Sequence, residues 1–485
     1  MAMQVINNNQ LIAQFRSFRQ HLRKLFKSYS DSIIDLIDAL ASNSNGASSP
    51  VELSISPLFE RTYSSIYKAI EKSFNFNDDK KKKRKKLKNL TRLIAEVTPQ
   101  PEKRSFYLFA TDTTPHPRPY SPTLPERGYI YQPNTIAGNK SIGVGHSFSF
   151  VSLLPEKDSH QSAPWSIPLS GERVPTDKKG ISVGINQINA LMSDESLPWH
   201  GKLSVLTADS AYSQRSFLFN SSKHKNLVVI TRVRSNRIFY SSPPAQQEEK
   251  KRGCPKKFAE RFDLALEETW HPPDETTQFK STSKKGRQFT VTLKAWHHML
   301  MRGTQQEQMY KCPFTLVRVH VTDDTGCAVW KPMWLIVMGE QRGRITLAEV
   351  YSCYRQRFDI EHMFRFKKQR LLMTNFQTTD VKREENWIRL VMLAYVQLWA
   401  AKELSNYLPR PWERYQKQNN DKIISPSTVQ RDFQRIISEV GKPGNSPKPR
   451  GNATGRVRGQ TQTKRVKHPV IKKSQKSNIS QPKAA

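Results

Sequence analysis

Three short apolar runs, set far apart in the chain and separated by segments of different character, constrain the fold more than any other feature of the sequence. Residues 105–111 (SFYLFAT), 202–208 (KLSVLTA) and 227–232 (LVVITR) are strand-length stretches with β-branched and aromatic side chains. The first stops at Asp112 and the second at Asp209. A helix-period stretch near residues 186–192 lies between them. Strands interleaved with helices, with acids at strand ends, predict a mixed α/β layered core. Pro115, Pro117, Pro119 and Pro122 follow Asp112. They are expected to forbid further pairing and to force an extended loop. Residues 142–154 then alternate as another strand.

The remaining chain divides by pattern. Leu11, Phe15, Phe18, Leu22 and Leu25 recur at helical spacing, as do Phe59, Tyr63, Ile66, Tyr67 and Ile70, so residues 1–78 read as a helical unit. The opposite face of its first helix carries Arg16, Arg19, Arg23 and Lys24, either merely solvated or in contact with DNA. Residues 79–100 read as a basic linker whose Lys run serves as a hinge, and residues 101–234 as the first part of the α/β core. Residues 235–340 begin polar and basic, then offer strand candidates at 289–293, 314–321 and 333–338, a β-rich insertion. Residues 341–410 return to helix: Thr346 and Glu349 form a capping box, no Pro or Gly interrupts the segment through Arg370, and a second helix covers 387–404. A C-terminal helical segment (411–441) runs from Ser425-Pro426 through Val440 to a stop at Gly441, and residues 442–485 read as a basic disordered tail.

Charge narrows the function. In 485 residues, 78 Lys and Arg face 42 Asp and Glu, a net +36. Residues 80–88 hold eight basic and no acidic side chains and residues 441–485 hold twelve and none, which leaves +16 on the rest. A body that is itself basic points to a polyanionic partner, nucleic acid first, and away from an ordinary small-molecule enzyme. Four cysteines without C-x-x-C spacing exclude a disulfide framework and a zinc site of the usual spacing, and suggest reduced thiols. The start lacks a charged segment followed by an apolar run, and the longest apolar stretch is interrupted at Gln397. The expected location is the cytoplasm, neither exported nor embedded.

Within the capped helix, Tyr354, Arg357, Glu361 and Lys368 fall on one face. The plain reading is a solvated stripe in which Arg357 and Glu361 form an i,i+4 pair worth a few tenths of a kcal/mol. The run YRQRFDIEHMFRFKK (354–368), however, fits Y-x(2)-R-x(3)-E-x(6)-K without mismatch. It resembles the Y-R-E-K signature of the DDE transposases of bacterial insertion sequences. That resemblance implies a ribonuclease-H-like core with a β-rich insertion between the second Asp and the Glu helix, plus an N-terminal helical domain. Asp112, Asp209 and Glu361 occur in the required order, 97 and 152 residues apart, and the likeness spans roughly residues 100–410.

By the same resemblance, Asp112, Asp209 and Glu361 are catalytic and hold two Mg²⁺ or Mn²⁺ ions, while Tyr354, Arg357 and Lys368 bind DNA. Double-stranded DNA, both element ends and target, is the implied partner, with a homodimer in a synaptic complex and a nucleoid-associated place in a bacterial cytoplasm. The residue types have an independent rationale. Phosphodiester attack uses two hard cations about 3.5–4 Å apart, hard cations prefer carboxylate oxygens, and three converging carboxylates repel one another unless a cation sits among them. Two other functions use the same features: a transposase-derived DNA-binding protein without catalysis, and a metal-dependent DNA nuclease.

Lesser features have plainer explanations. Asp359 lies about 200° around the helix from Glu361 and is a poor ligand, and His362 reads as structural. RGCP at 252–255 lacks the central Arg of a minor-groove hook and reads as a solvated loop. His297 and His298 read as surface residues. Trp330, Trp334 and Phe358 offer stacking surfaces for a base, but core packing is the expected role of each.

Overall fold

The computed structural model describes residues 8–44, 46–74, 79–131, 142–157, 162–243, 256–283, 286–408, 423–447, 459, 461 and 464–472. The chain opens with helices α1 (Asn8–Lys24), α2 (Ser30–Ala41), α3 (Tyr63–Ser73) and α4 (Lys80–Ala95). Strands β1 (Tyr107–Pro117), β2 (Gly128–Tyr131), β3 (Ile142–Leu153) and β4 (Ile167–Val174) follow, then α5 (Gly180–Met192), β5 (Ser204–Ala208), α6 (Arg215–Ser221) and β6 (Leu227–Val233). Next come β7 (Ile238–Tyr240), β8 (Arg261–Asp263), β9 (Glu275–Thr282), β10 (Gln288–Met299), β11 (Phe314–Thr322) and β12 (Met333–Met338). Helices α7 (Leu347–Gln356), α8 (Phe358–Arg370), α9 (Val381–Ala400), α10 (Lys402–Tyr407) and α11 (Pro426–Val440) close the fold.

Ten strands form one mixed sheet in the order β2-β3-β1-β5-β6-β12-β11-β10-β9, with β4 pairing β3. The mixed α/β class and its ribonuclease-H-like character are those expected from the sequence. β1, β5 and β6 are parallel neighbours. All five residues of β5 are buried, as a strand covered on both faces requires, which is why it reads as an unbroken apolar run. The strands from residue 275 onward extend this same sheet, because β12 pairs antiparallel with β6. Side-chain alternation along β3 separates the two layers: Ser149 bonds Gln187 of α5, whereas Phe150 packs on Phe364 of α8. Gly171 of β4 makes room for Phe150, since a Cβ there would lie 2.5 Å from its ring.

The prolines after Asp112 do not end β1, which pairs with β3 as far as Pro117 opposite Gly145. Arg118 donates its backbone N–H to Val144, so even-numbered residues of this stretch face β3 and Pro115 and Pro117 face the other way. On that side β1 has a neighbour only through Thr111, opposite Ala208. The missing N–H groups therefore fall on an unpaired edge, where proline costs no ladder bond.

The N-terminal helices share one buried cluster with the sheet and with α9 and α11. Arg19, expected on a face either solvated or in contact with DNA, is instead 1% exposed and bidentate on Asp38, both bonds 2.7 Å, with Gln397 of α9 completing the set. Arg16 donates to the Val440 carbonyl and Arg23 to Asp31. Arg19 is thus sealed inside, while Arg16 stays exposed and Arg23 partly so. The Lys run is not a hinge either, because it opens α4, whose first N–H groups are capped by Asp79. In the tail, described residues up to 447 follow Gly441, which stops α11 at φ +83° as expected. Residues 464–472 are not free, since His468 and Ile471 donate backbone bonds to Pro122 and Arg127. The rest of the tail lies outside the described residues.

A fully buried ionic node fastens the far end of β1. Glu384 of α9 receives His116 at 2.8 Å, Arg118 at 3.2 Å, and His146. Arg118 also donates to His116 Nε2, so that imidazole accepts there and is neutral. Burial alone would raise the Glu384 pKa, but hydrogen bonds from His116 and His146 outweigh it and hold the carboxyl below the usual range.

Candidate active site

Asp112 sits mid-strand opposite Phe150, hence on the sheet face that carries α8. Asp209 follows β5 and caps the short turn Ser210–Tyr212 by accepting from the Ala211 N–H at 3.0 Å. Thr111 is opposite Ala208 in a parallel ladder, so the two acids occupy the next position of the same register on strands about 4.8 Å apart. The third acid arrives from α8.

The expected single helix through Arg370 is two helices that meet at Arg357. The Arg357 N–H is shared at 3.2 Å between the carbonyls of Cys353 and Tyr354, which tightens the chain there without leaving helical dihedrals, φ −49° and ψ −35°. Thr346 and Glu349 do form the capping box of the first helix. Nor are the four motif residues a solvated stripe: Tyr354 and Arg357 are 3% and 5% exposed.

Arg357 ties the acids together. Its guanidinium lies 3.8 Å from Asp112 and 3.0 Å from Glu361, and over the rings of Phe358 at 4.6 Å and Tyr354 at 5.6 Å. Glu361 is half exposed, so this pair is worth no more than about 1 kcal/mol and yields readily to a competing cation. Burial first, then the charge of Asp209, push the Asp112 pKa up to about 7; the hydrogen bond from the Thr113 N–H and the charge of Arg357 oppose them, and Glu361 adds a smaller push. Burial pulls the Lys368 pKa down while Asp112 pulls it up, which places that ammonium in the same field. Burial raises the Tyr354 pKa, opposed by Arg357 and Arg232. All six residues singled out in the sequence thus converge on one cleft beside the middle of β1 and the end of β5.

Several neighbours escaped the sequence reading. Tyr212 is buried with its hydroxyl 3.1 Å from Thr113, and burial pushes its pKa up to about 12; the run D-S-A-Y was its only signal. Arg232, the penultimate residue of β6, acts electrostatically on Tyr354. Lys367, next to the motif lysine, is fully buried with no partner for its Nζ, which lies 3.5 Å over the Phe150 ring, and burial drives its pKa far down. Exchanging Lys367 for Met is expected to stabilise the protein by about 1–3 kcal/mol in denaturant titrations near neutral pH. The gain should shrink as pH rises toward 10, because the unfolded lysine alone carries the proton below that pH.

Asp359 is paired with Lys157 at 2.7 Å, away from the cleft. His297 meets Thr315 and Glu275. Trp334 is buried in an aromatic cluster, but Trp330 and Phe358 are 52% and 47% exposed, so core packing is not their role. Phe358 follows a helix junction that turns it outward beside Arg357. RGCP at 252–255 lies outside the described residues.

Among the described residues no three His, Cys, Asp or Glu side chains close into a ready-made metal cage. The donor set nevertheless suits a hard divalent cation: carboxylate oxygens, one on β1 and one just past its neighbour β5, and one carboxyl whose proton affinity is raised by burial and then by the charge of Asp209. In the absence of divalent cation, Asp112 keeps a proton in the folded state between about pH 4 and 7 that the unfolded chain has released. Its contribution should therefore lower stability as pH rises through that window, by at most on the order of 4 kcal/mol, and level off above. Thermal melts across pH should show this slope flattened by added Mg²⁺ and absent in Asp112→Asn.

A family model described as DDE superfamily endonuclease matches residues 26–303, more than half of the chain, and the protein belongs to that family. Enzymes of this kind generally use divalent metal ions and act on DNA. The matched segment contains Asp112 and Asp209 but ends before Glu361. Comparison with curated proteins gives no match. No helix among the described residues is long and apolar enough to cross a membrane.

Proposed function

We propose that this protein is a DDE transposase of the Y-R-E-K group, which cleaves DNA at the ends of an insertion sequence and joins them to target DNA. The observation that carries this reading is the meeting of Asp112, Asp209 and the Glu361-bearing motif in one cleft, with Arg357 in contact with two of the three carboxylates. A nuclease needs the acids alone, whereas this cleft adds a motif arginine, tyrosine and lysine around them.

In this assignment Asp112, Asp209 and Glu361 would hold two Mg²⁺ or Mn²⁺ ions, which would supply activation of the attacking water or 3′-hydroxyl and stabilisation of the leaving oxygen. Arg357 exchanges its contact with Glu361 for a phosphate oxygen, a bidentate match of guanidinium to anion. Lys368 supplies a second positive charge on the same helix, and Tyr354 holds the guanidinium plane from below. Exposed Phe358 limits how Arg357 can swing. Two copies bring both element ends together.

The test is incubation of the purified protein with Mn²⁺ or Mg²⁺ and DNA carrying the inverted repeats that flank its coding sequence. Cleavage at the repeat ends followed by joining, both lost in Asp209→Asn, is the expected result. Cleavage without joining or end preference would make the protein a nuclease, and binding without cleavage would make it a non-catalytic derivative.

A further inference from the structure

The deepest charge imbalance outside the cleft lies on α4. Its basic residues do not behave alike. Lys83 reaches Glu385 at 3.4 Å, and Lys88 and Arg92 reach Asp194 at 3.2 and 3.1 Å. These contacts, with Leu90, Leu93 and Ile94 buried beneath and Thr91 bonded to the Leu169 carbonyl, fix the helix along the outer edge of β4. Lys81, Arg84 and Lys85 are exposed and carry no ion pair among the described residues. At 100° per residue they share one stripe with Lys88, about 10 Å long, or three base-pair rises of duplex. Crowding continues sideways: burial and the ammonium of Lys27 both depress the Lys86 pKa. Like charges held together on a well-packed helix are a cost that a polyanion relieves.

The stripe is also placed with respect to the acids. Asp112, Phe150 and Gly171 stand opposite one another across β1, β3 and β4. Arg173, two residues beyond Gly171, pairs with Glu385, the partner of Lys83. The start of α4 therefore lies level with the cleft, two strand spacings and one helix packing distance away, on the order of 20 Å or six base pairs.

We propose that the Lys81–Arg84–Lys85 stripe of α4 is a docking surface for the phosphate backbone of the same duplex whose end lies in the Asp112 cleft. This rests on the reading of the cleft as a DNA site, and it names where the flanking duplex runs. The contact is electrostatic and sequence-independent, so it governs affinity and reach, not end recognition.

The experiment compares the full-length protein with K81A/R84A/K85A in Ca²⁺-containing buffer, measuring affinity for a 30-base-pair and a 6-base-pair duplex against salt concentration. All three side chains are exposed and mutually repulsive, so melting temperature should hold or rise slightly, and a second set, Lys→Gln and Arg→Gln, guards against loss of helix propensity. On the long duplex the log–log salt slope should fall by between two and three, and affinity at 0.1 M salt by at least tenfold. On the short duplex the two proteins should differ by less than twofold. An unchanged slope on the long duplex overturns the proposal, as does an equal loss on both lengths. A loss seen with poly-glutamate or with RNA but not with DNA overturns it as well. Because the measurement reads binding only, it stands or falls separately from cleavage: absent cleavage with an intact slope change would defeat the transposase reading and leave the surface.

Discussion

Asp209→Asn is expected to lower metal-dependent DNA cleavage by roughly 10³-fold, about 4 kcal/mol of transition-state stabilisation, while leaving the fold intact. Asp209 caps a short turn through one oxygen, and the amide oxygen of Asn can still accept the Ala211 N–H. The mutation therefore removes charge and keeps the turn. Asp112→Asn should match it in activity but raise the melting temperature without metal, because a neutral group replaces a carboxyl that burial and its neighbours disfavour. A variant that retained a tenth of wild-type cleavage would remove Asp209 from the reacting centre. The comparison is best made by single-turnover kinetics on end DNA, with DNA affinity measured in parallel.

Glu384→Ala should be the most damaging single change to stability, by about 3–5 kcal/mol, a large share of the net stability of a typical protein. Alanine would leave Arg118 without its counter-charge, and His116 and His146 without their common acceptor, in a site with no access to water. Glu384→Gln retains an acceptor and should lose less. Since hydrogen bonds hold the native carboxyl below its usual range, its contribution is present above about pH 4 and is lost as pH falls below that. Urea titrations at pH 7 and pH 4 measure both statements: the gap between wild type and Glu384→Ala should narrow at the lower pH.

What the sequence shows and what it hides follow from where information is local. β5 and β6 are legible because parallel strands buried on both faces must be continuously apolar. The capping box of α7 and the Pro–Gly brackets of α11 are legible because they are contiguous in the chain. The acids are legible because Asp112 and Asp209 close apolar runs in the sequence, although β1 continues past Asp112, and Glu361 sits in a spaced motif. β4 is hidden by its Pro168, Gly171 and charged residues, and β9 by its exposed, polar pattern. Arg19 misleads because a long cation at a polar-looking helical position finds its carboxylate 19 residues away and its amide 378 away. Lys367 is missed for a similar reason, since no local pattern announces a buried lysine over a ring from another strand.

The two prolines that turn away from β3 have an effect beyond tolerating the ladder. Past Ala208 the flank of β1 is a naked border next to the acids, the kind of border onto which a stray peptide or a second molecule can zip. Pro115 and Pro117 offer no amide hydrogen there, so a foreign strand would find acceptors without donors. That flank therefore offers an added strand no complete ladder, although it lies beside the acids.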